Sequence, residues 1–368
     1  MSTQPPDTIP GPAEPPPAPP PAVREPILEP LPPLEPFEPE PNRLPFSKWL
    51  PVVAGAVIGI LMRLVFNSRP GEAYGAMMSS FVILTPMLVG AVTVYVAEQF
   101  QRRSWGYYIW MAAFANVLFV AGALAILIEG LICALVIVPV FVVLGIFGGL
   151  VMGAVCRLTM RPRQVLYCLA AVPLLLGGFE QELPLPERWR HAETVRIVDA
   201  PPAAVWHALV ATGAIAADEV DSAWMYRLGV PLPEAGVAER TDEGIVRHVT
   251  MGSGIHFDQV ASVWQPGQLV RWRYRFSDDS FPPRALDDHV KIGGHYFGLG
   301  DTDYVLRERG EKTELRVVMR YRVSTRFNWY AGPLADWLIG DFERTILAFY
   351  AHRAEAGQVR VAAAAQRP

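Results

Sequence analysis

The sequence is poor in cysteine and lacks the short signatures of common enzymes. Its three cysteines all lie in or at the ends of apolar runs: Cys133, Cys156 and Cys168. Disulfides and thiolate metal sites are therefore excluded from the chain after residue 182. There is no glycine-rich phosphate loop, no Gly-x-Ser-x-Gly elbow, and no metal-ligand spacing among His248, His256, His289 and His295. The sequence predicts no metal site and no cofactor.

Charged residues are also few. They make up 18% of the chain, hydrophobic residues make up 51%, and the formal net charge is -4. These averages are unusual for a water-soluble protein but ordinary for a chain that is half membrane protein. The balance leaves no basic excess and no array of stacking aromatic residues, which argues against a nucleic-acid partner.

Proline is concentrated at the amino end, where eighteen of the 35 prolines fall within the first 45 residues. Proline fixes φ and removes backbone donors, so residues 1–46 are predicted to be a disordered, extended tail. The tail is either a spacer or a docking peptide for a proline-binding protein. A second disordered tail is predicted for residues 357–368.

Residues 47–182 form the apolar part of the chain. They contain five apolar runs, which predict about five transmembrane helices: 50–66, 76–97, 107–128, 131–155 and 164–179. A helix needs about 20 residues to cross the hydrocarbon core, so the first and last runs are short. Glycines between Gly145 and Gly153 indicate close helix packing.

The joints between the runs predict the orientation. Basic residues follow the second and fourth runs: Arg102, Arg103, Arg157, Arg161 and Arg163. These joints and the amino terminus are expected to be cytoplasmic. If the fifth run crosses, the domain that follows is extracytoplasmic, which in a bacterial inner membrane is the periplasm; if that run is re-entrant, the domain is cytoplasmic. We predict that it crosses. Arg63, near the end of the first run, is interpreted as snorkelling to the interface.

Residues 190–356 form an α+β domain. Alternating apolar residues predict seven strands: 193–199, 236–240, 245–251, 257–264, 269–276, 303–309 and 313–323. A proline-started helix is predicted at 200–210. Apolar residues at spacings of three and four predict a long terminal helix over 328–352.

This order of elements resembles the SRPBCC superfamily, also called START-like or helix-grip. The resemblance covers about Glu193–Glu355 and is carried by Val195–Trp206, Trp264–Val270 and Lys312–Leu315. It is strongest to the polyketide cyclase/dehydrase-like branch, and three segments resemble a membrane-tethered bacterial subset of that branch: Tyr226–Val230, Val246–His248 and Gly294–Phe297. The resemblance implies a curved, seven-stranded antiparallel sheet around a long C-terminal helix, with an apolar cavity between them.

The strand 269–276 separates an aromatic face from a basic one. Trp272 and Tyr274 lie on the first, and Arg271 and Arg273 on the second. The basic face either meets anionic lipid head groups or is a solvated face paired with nearby carboxylates. The candidates for the ligand cavity are His248, Trp272, Tyr274, His295, Tyr296, Met319, Tyr321, Trp337 and Phe342.

The function expected from the resemblance is binding of a hydrophobic molecule, such as a lipid or an isoprenoid-like compound, near the membrane surface. The partners would then be membrane lipids and that small molecule. One alternative is a cyclase or dehydratase with His248, His295 or Tyr296 as acid or base. Another is a membrane sensor that signals through the proline-rich tail. The sequence favours binding over catalysis and does not identify the ligand.

Overall fold

The computed structural model describes residues 48–67, 75–159, 162–283, 285–286 and 290–365, with side chains as far as residue 358. The amino-terminal tail, Arg161 and His289 lie outside these residues.

The first part of the described chain consists of five apolar helices: α1 (Leu50–Val65), α2 (Thr85–Phe100), α3 (Trp105–Ala125), α4 (Leu131–Leu158) and α5 (Pro162–Glu180). A π-helical segment, Ser80–Leu84, continues directly into α2. Four helical segments, those that contain α2, α3, α4 and α5, are long and apolar enough to cross a membrane; α1 is shorter, with 16 residues. The last apolar run, which looked short in the sequence, forms a helix of 19 residues.

Helix α5 runs antiparallel to α2 along the whole of it. At the start of α5, the Arg163 Nε donates to the Tyr95 hydroxyl near the end of α2, over 3.0 Å. At the end of α5, the Glu180 carboxylate accepts from the Ser80 amide, over 2.9 Å, where the π-helical segment begins. At 1.5 Å per residue, a helix of this length spans about 28 Å, close to the thickness of a hydrocarbon core.

Glycines allow α2 and α4 to pack closely. A Cβ at Gly90 would lie 1.9 Å from the Gly145 carbonyl oxygen, and one at Gly148 would lie 2.1 Å from the Met87 carbonyl oxygen. Only a residue without a side chain fits at these distances. The close packing predicted from the glycines of α4 is confirmed.

The Arg63 guanidinium reaches the joint between α3 and α4, but it is buried and paired there and not exposed to solvent. Its side chain is only 4% exposed, and its Nε donates to Glu129 Oε1 at 2.5 Å. Its Nη1 also donates to the Phe66 carbonyl, over 2.8 Å. The local pattern could not reveal this pairing, because Glu129 lies 66 residues away, in the turn between α3 and α4.

The second part is an antiparallel sheet of eight strands: β1 (Arg188–Val198), β2 (Ala211–Ala214), β3 (Pro233–Thr241), β4 (Gly244–Met251), β5 (His256–Gln265), β6 (Leu269–Arg275), β7 (Phe297–Arg309) and β8 (Lys312–Val323). The spatial order is β1, β8, β7, β6, β5, β4, β3, β2, so β1 and β2 form the edges. Helix α6 (Pro202–Val210) and the short α7 (Trp224–Arg227) lie between β1 and β3 in the chain.

The sheet has one strand more than predicted. Strand β2 is only four residues long and pairs irregularly with β3, so it has no period that a sequence could reveal. Strand β7 begins at Phe297, six residues before the predicted start. Gly298 and Gly300 weaken its strand pattern, and a register shift falls between Leu299 and Thr302.

The long helix α8 (Asn328–Ala365) packs on the inner face of the sheet, which gives the helix-grip fold. Its core residues, including Ile346, Leu347 and Tyr350, join Trp272 and Leu315 of the sheet in one buried cluster. The helix continues to Ala365, past the predicted start of the second tail. Residues 362–365 are all alanine, the residue with the highest helix propensity.

Glu343 lies in this core with no exposed surface. Its carboxylate accepts from the Thr194 hydroxyl, over 2.9 Å, and from the Met319 amide, over 3.1 Å. Burial raises the pKa of Glu343 to about 7, although both hydrogen bonds favour the charged form. Because this pKa exceeds that of the unfolded chain, folding favours the protonated carboxyl, and the contribution of Glu343 to stability falls as pH rises through 7.

We therefore expect Glu343→Gln to flatten the dependence of stability on pH. Between pH 5 and pH 8 the wild-type chain should lose about 2–3 kcal/mol of unfolding free energy that the variant does not lose. Thermal midpoints of the full chain in detergent at the two pH values measure this loss. Glu311→Gln, at an exposed position, is the control, and equal pH dependence in the wild-type and Glu343→Gln proteins would contradict the prediction.

Candidate functional site

A cavity of about 360 Å³ lies between the inner face of the sheet and α8. Small-molecule sites have volumes of about 300–1,000 Å³, so the cavity is large enough for a ligand. The helix lines it with residues at spacings of one, three and four: Tyr330, Ala331, Leu334, Ala335, Leu338, Ile339, Phe342, Ile346 and Tyr350. Tyr330 and Tyr350 are twenty residues apart, so the cavity follows α8 for about 30 Å.

The cavity extends beyond the sheet domain to the apolar helices. Phe81, Val120, Ala123, Ile132 and Phe141 line this end. They come from the π-helical segment, from the end of α3 and from the first turns of α4. The sheet domain and the apolar helices therefore line one cavity together.

Two contacts join the sheet domain to the apolar helices at this end of the cavity, one made by α8 and one by a residue just before it. The Tyr330 hydroxyl donates to the Val136 carbonyl of α4, over 2.6 Å. Phe327, just before α8, is only 4% exposed and belongs to the buried cluster of the apolar helices.

A group of polar contacts around Glu180, which we call the Glu180 junction, joins the two parts at a second place. The carboxylate accepts from the Ser79 amide, over 2.6 Å, and from the Ser80 amide, over 2.9 Å. It also pairs with Arg326 of the sheet domain, whose Nε lies 3.0 Å from Oε1. Arg326 donates further to the backbone carbonyls of Glu180 and Leu183. The start of the π-helical segment, the end of α5 and the start of α8 therefore meet at one carboxylate.

The end of the cavity nearest Tyr350 is polar. Arg247 of β4 is only 5% exposed, and its Nε donates to Gln259 Oε1 over 2.6 Å. Its Nη1 donates to the Tyr350 hydroxyl, over 3.2 Å, and to the Leu209 carbonyl, over 3.4 Å. The guanidinium carbon lies 4.6 Å from the centre of the Trp272 ring, which is cation–π geometry.

Tyrosine hydroxyls surround this polar end. The Tyr274 hydroxyl shares a 2.7 Å hydrogen bond with Thr302, and the ring of Tyr304 meets that of Tyr350 edge to face at 5.7 Å. Burial raises the pKa of Tyr226, Tyr274 and Tyr304 above the ordinary value, so all three phenols are neutral at physiological pH. They can offer hydrogen bonds but no compensating negative charge.

Four of the predicted cavity residues line the cavity: Tyr274, Tyr296, Met319 and Phe342. Two others, Trp272 and Tyr321, lie fully buried in the core beside it. Trp272 supports Arg247, and the Tyr321 hydroxyl donates to Asp336, which also pairs with Arg190.

The remaining predicted residues lie elsewhere. His295 is exposed and packs its ring on that of Tyr296, with centroids 4.9 Å apart. Trp337 is 46% exposed and packs against Trp224 at the surface.

His248 faces outward, so its predicted inward orientation is wrong. It lies 2.9 Å from Glu239 and 2.6 Å from Asp258. Hydrogen bonding to Asp258 is the main cause of its raised pKa, and Glu239 adds to it. The inward residues of β4 that line the cavity are Arg247, Val249 and Met251. The sequence prediction grouped His248 with Val246, which is on the same face of an alternating strand. Val246 is indeed buried, but the face that lines the cavity is the other one, and a shift of one residue along a strand exchanges its faces.

The basic face of the sheet carries its own counter-ions. Arg271 makes two hydrogen bonds to Asp303, of 2.7 and 2.8 Å, and Arg320 reaches the same carboxylate over 3.0 Å. Arg275 pairs with Asp258 and Glu243. Of the two interpretations from the sequence, this arrangement supports the solvated, paired face. Among the described residues, no group of three or more metal-ligating side chains could hold a metal ion.

No protein-family model matches the chain, and a search of curated proteins found no match. Similar solved structures include a protein from Thermus thermophilus, with 14% identity, 46% of this chain and 99% of that chain covered, and a TM-score of 0.30. The Zhui aromatase/cyclase from a Streptomyces species has 16% identity, 46% and 94% coverage, and a TM-score of 0.27. The di-domain ARO/CYC StfQ of the steffimycin biosynthetic pathway has 14% identity, 54% and 62% coverage, and a TM-score of 0.29.

We expect Arg326→Ala to loosen the Glu180 junction. The variant leaves the largely buried Glu180 carboxylate without its positive partner. Removing one partner of a fully buried ion pair lowers the free energy of unfolding by about 3–5 kcal/mol. Hydrogen exchange of the Ser79 and Ser80 amides in the full chain should become about tenfold faster or more. Arg344→Ala, at an exposed ion pair with Asp341, should leave these rates unchanged. If the Ser79 and Ser80 amides exchange at the wild-type rate in both variants, Arg326 does not hold the junction together.

Proposed function

We propose that this chain is a membrane-embedded binding protein that takes a hydrophobic molecule from the bilayer into its helix-grip domain. The observation that carries the proposal is the cavity lined by both parts of the chain, with Phe81 and Ile132 at one end and Tyr350 at the other. A lipid or an isoprenoid-like molecule could pass along it without exposing its chain to water. The free energy of apolar transfer, about 25 cal/mol per Å² of buried surface, favours this route.

The proposed topology has five crossings. Arg103, Arg157 and Arg163 lie together at the end of the bundle where α2 ends, and Arg157 donates to the Arg103 carbonyl over 2.8 Å. The sheet domain lies at the opposite end, beyond the Glu180 junction. By the positive-inside rule, the arginine end is cytoplasmic and the domain is extracytoplasmic. If the membrane is a bacterial inner membrane, the proposed topology has the domain in the periplasm and the proline-rich tail in the cytoplasm.

The catalytic alternative has less support. Of the three acid–base candidates for a cyclase or dehydratase, His248 and His295 lie outside the cavity. Tyr296 alone lines it. The sensor alternative depends on the tail, which lies outside the described residues, and it stays a prediction.

Filling the cavity between its two ends tests the proposal. Ala335 lines it on α8, about 8 Å along the helix from Tyr330. We expect Ala335→Trp to reduce the lipid that stays bound through purification of the full chain at least about tenfold, because the indole occupies the path of the chain. Native mass spectrometry with lipid extraction measures the bound mass.

The matched control is Ala203→Trp, which places the same side chain on an exposed position of α6. It should retain the wild-type lipid load, and thermal midpoints should show that both variants are folded. A folded Ala335→Trp protein with an unchanged load would refute uptake into this cavity.

A further inference from the structure

Arg247 is a buried charge without a counter-ion. Among the described residues, no carboxylate forms an ion pair with it, and its hydrogen bonds to the protein run from Nε and Nη1. The partners of these nitrogens are a side-chain amide, a hydroxyl and a backbone carbonyl. Buried charged side chains are almost always paired, because removing a charge from water costs several kcal/mol. Neutral acceptors reduce this cost but leave the charge uncompensated.

The other charged residue in the lining cannot fulfil this role. Glu129 lines the cavity at the end formed by the apolar helices, and its carboxylate is already held by Arg63 at 2.5 Å. The two charges are therefore at opposite ends. Between them the lining is mainly aliphatic and aromatic, and the Cα positions of α8 cover about 30 Å.

The polar end has the chemistry of a site for a carboxylate. A guanidinium binds a carboxylate through N–H···O bonds from its fork of donors. Arg247 lines the cavity, and its bonds to the protein come from Nε and Nη1. The neutral phenols of Tyr226, Tyr274 and Tyr304 border the same space and can donate to a second oxygen. One guanidinium neutralises one charge, which favours a monoanionic carboxylate over a phosphate dianion.

We infer that the ligand is a single-chain amphiphile with a terminal carboxylate, bound with the carboxylate on Arg247 and the chain directed along α8 toward the apolar helices. This inference rests on the proposed function, because it requires that the cavity bind a molecule with a long apolar chain. It adds the class of the head group and the direction of binding.

Three ligands of equal chain length test the inference: radiolabelled palmitate, hexadecan-1-ol and hexadecyl phosphate, each bound to the full chain in nonionic detergent. Palmitate should bind about tenfold or more tightly than hexadecan-1-ol, since a hydrogen bond between two charged groups is about twice as strong as one between neutral groups. Arg247→Gln should weaken palmitate binding by the same factor and change hexadecan-1-ol binding by less than about threefold. Arg273→Gln, on the exposed outer face, should change neither.

The outcomes separate the two claims. If the wild-type chain binds none of the three ligands, the proposed function fails. If it binds palmitate and hexadecan-1-ol equally well, the proposed function stands and the assignment to Arg247 is overturned. Tighter binding of hexadecyl phosphate than of palmitate would overturn the carboxylate class. The palmitate preference of the wild-type chain decides the question even if Arg247→Gln does not fold.

Discussion

The Glu180 carboxylate is the contact on which the arrangement of the two parts depends. It belongs to the last residue of α5, accepts hydrogen bonds from the Ser79 and Ser80 amides, and pairs with Arg326 just before α8. A carboxylate at the start of a helical segment also interacts favourably with the helix dipole. Because three segments meet at this one group, the sheet domain is held against the ends of the apolar helices. The hydrogen bond from the Tyr330 hydroxyl to the Val136 carbonyl then joins α8 to α4.

The shared cavity follows from that arrangement. A helix-grip domain by itself encloses space between a sheet and a helix, and its opening would face water. Here apolar side chains of α3 and α4, including Val120 and Ile132, extend the lining of that space. The cavity wall is therefore mainly apolar from the apolar helices to the centre of the domain, and the proposed uptake from a bilayer rests on this continuity.

Two charged side chains, Glu343 and Arg247, are buried in the sheet domain, and their charges are compensated in different ways. Glu343 is buried with two hydrogen-bond donors, and among the described residues no cation forms an ion pair with it. Burial raises its pKa to about 7, so a proton can offset its charge. Arg247 cannot be neutralised in this way, because a guanidinium keeps its proton at any physiological pH. Glu343 is neutralised within the fold, whereas Arg247 keeps its charge beside neutral hydrogen-bond acceptors. This difference is the reason for the carboxylate ligand that we infer at Arg247.

Much of this protein follows from local sequence pattern. The apolar runs determined the helices, the alternation of residues determined most strands, and the spacing of apolar residues determined α8, because these patterns repeat within one element. The candidates Tyr274, Met319 and Phe342 came from the same patterns. Strand β2 and the early start of β7 could not be predicted in this way. Strand β2 has only four residues, and glycines interrupt the start of β7, so neither shows a regular alternation of apolar residues.

Only the tertiary structure decided which residues form the site. Local alternation allowed either face of β4, and the packing against α8 selected Arg247 over His248. The pairing of Arg63 with Glu129 and of Glu180 with Arg326 joins residues 66 and 146 positions apart. Such contacts depend on how whole elements pack, and no repeat within a single helix or strand encodes them.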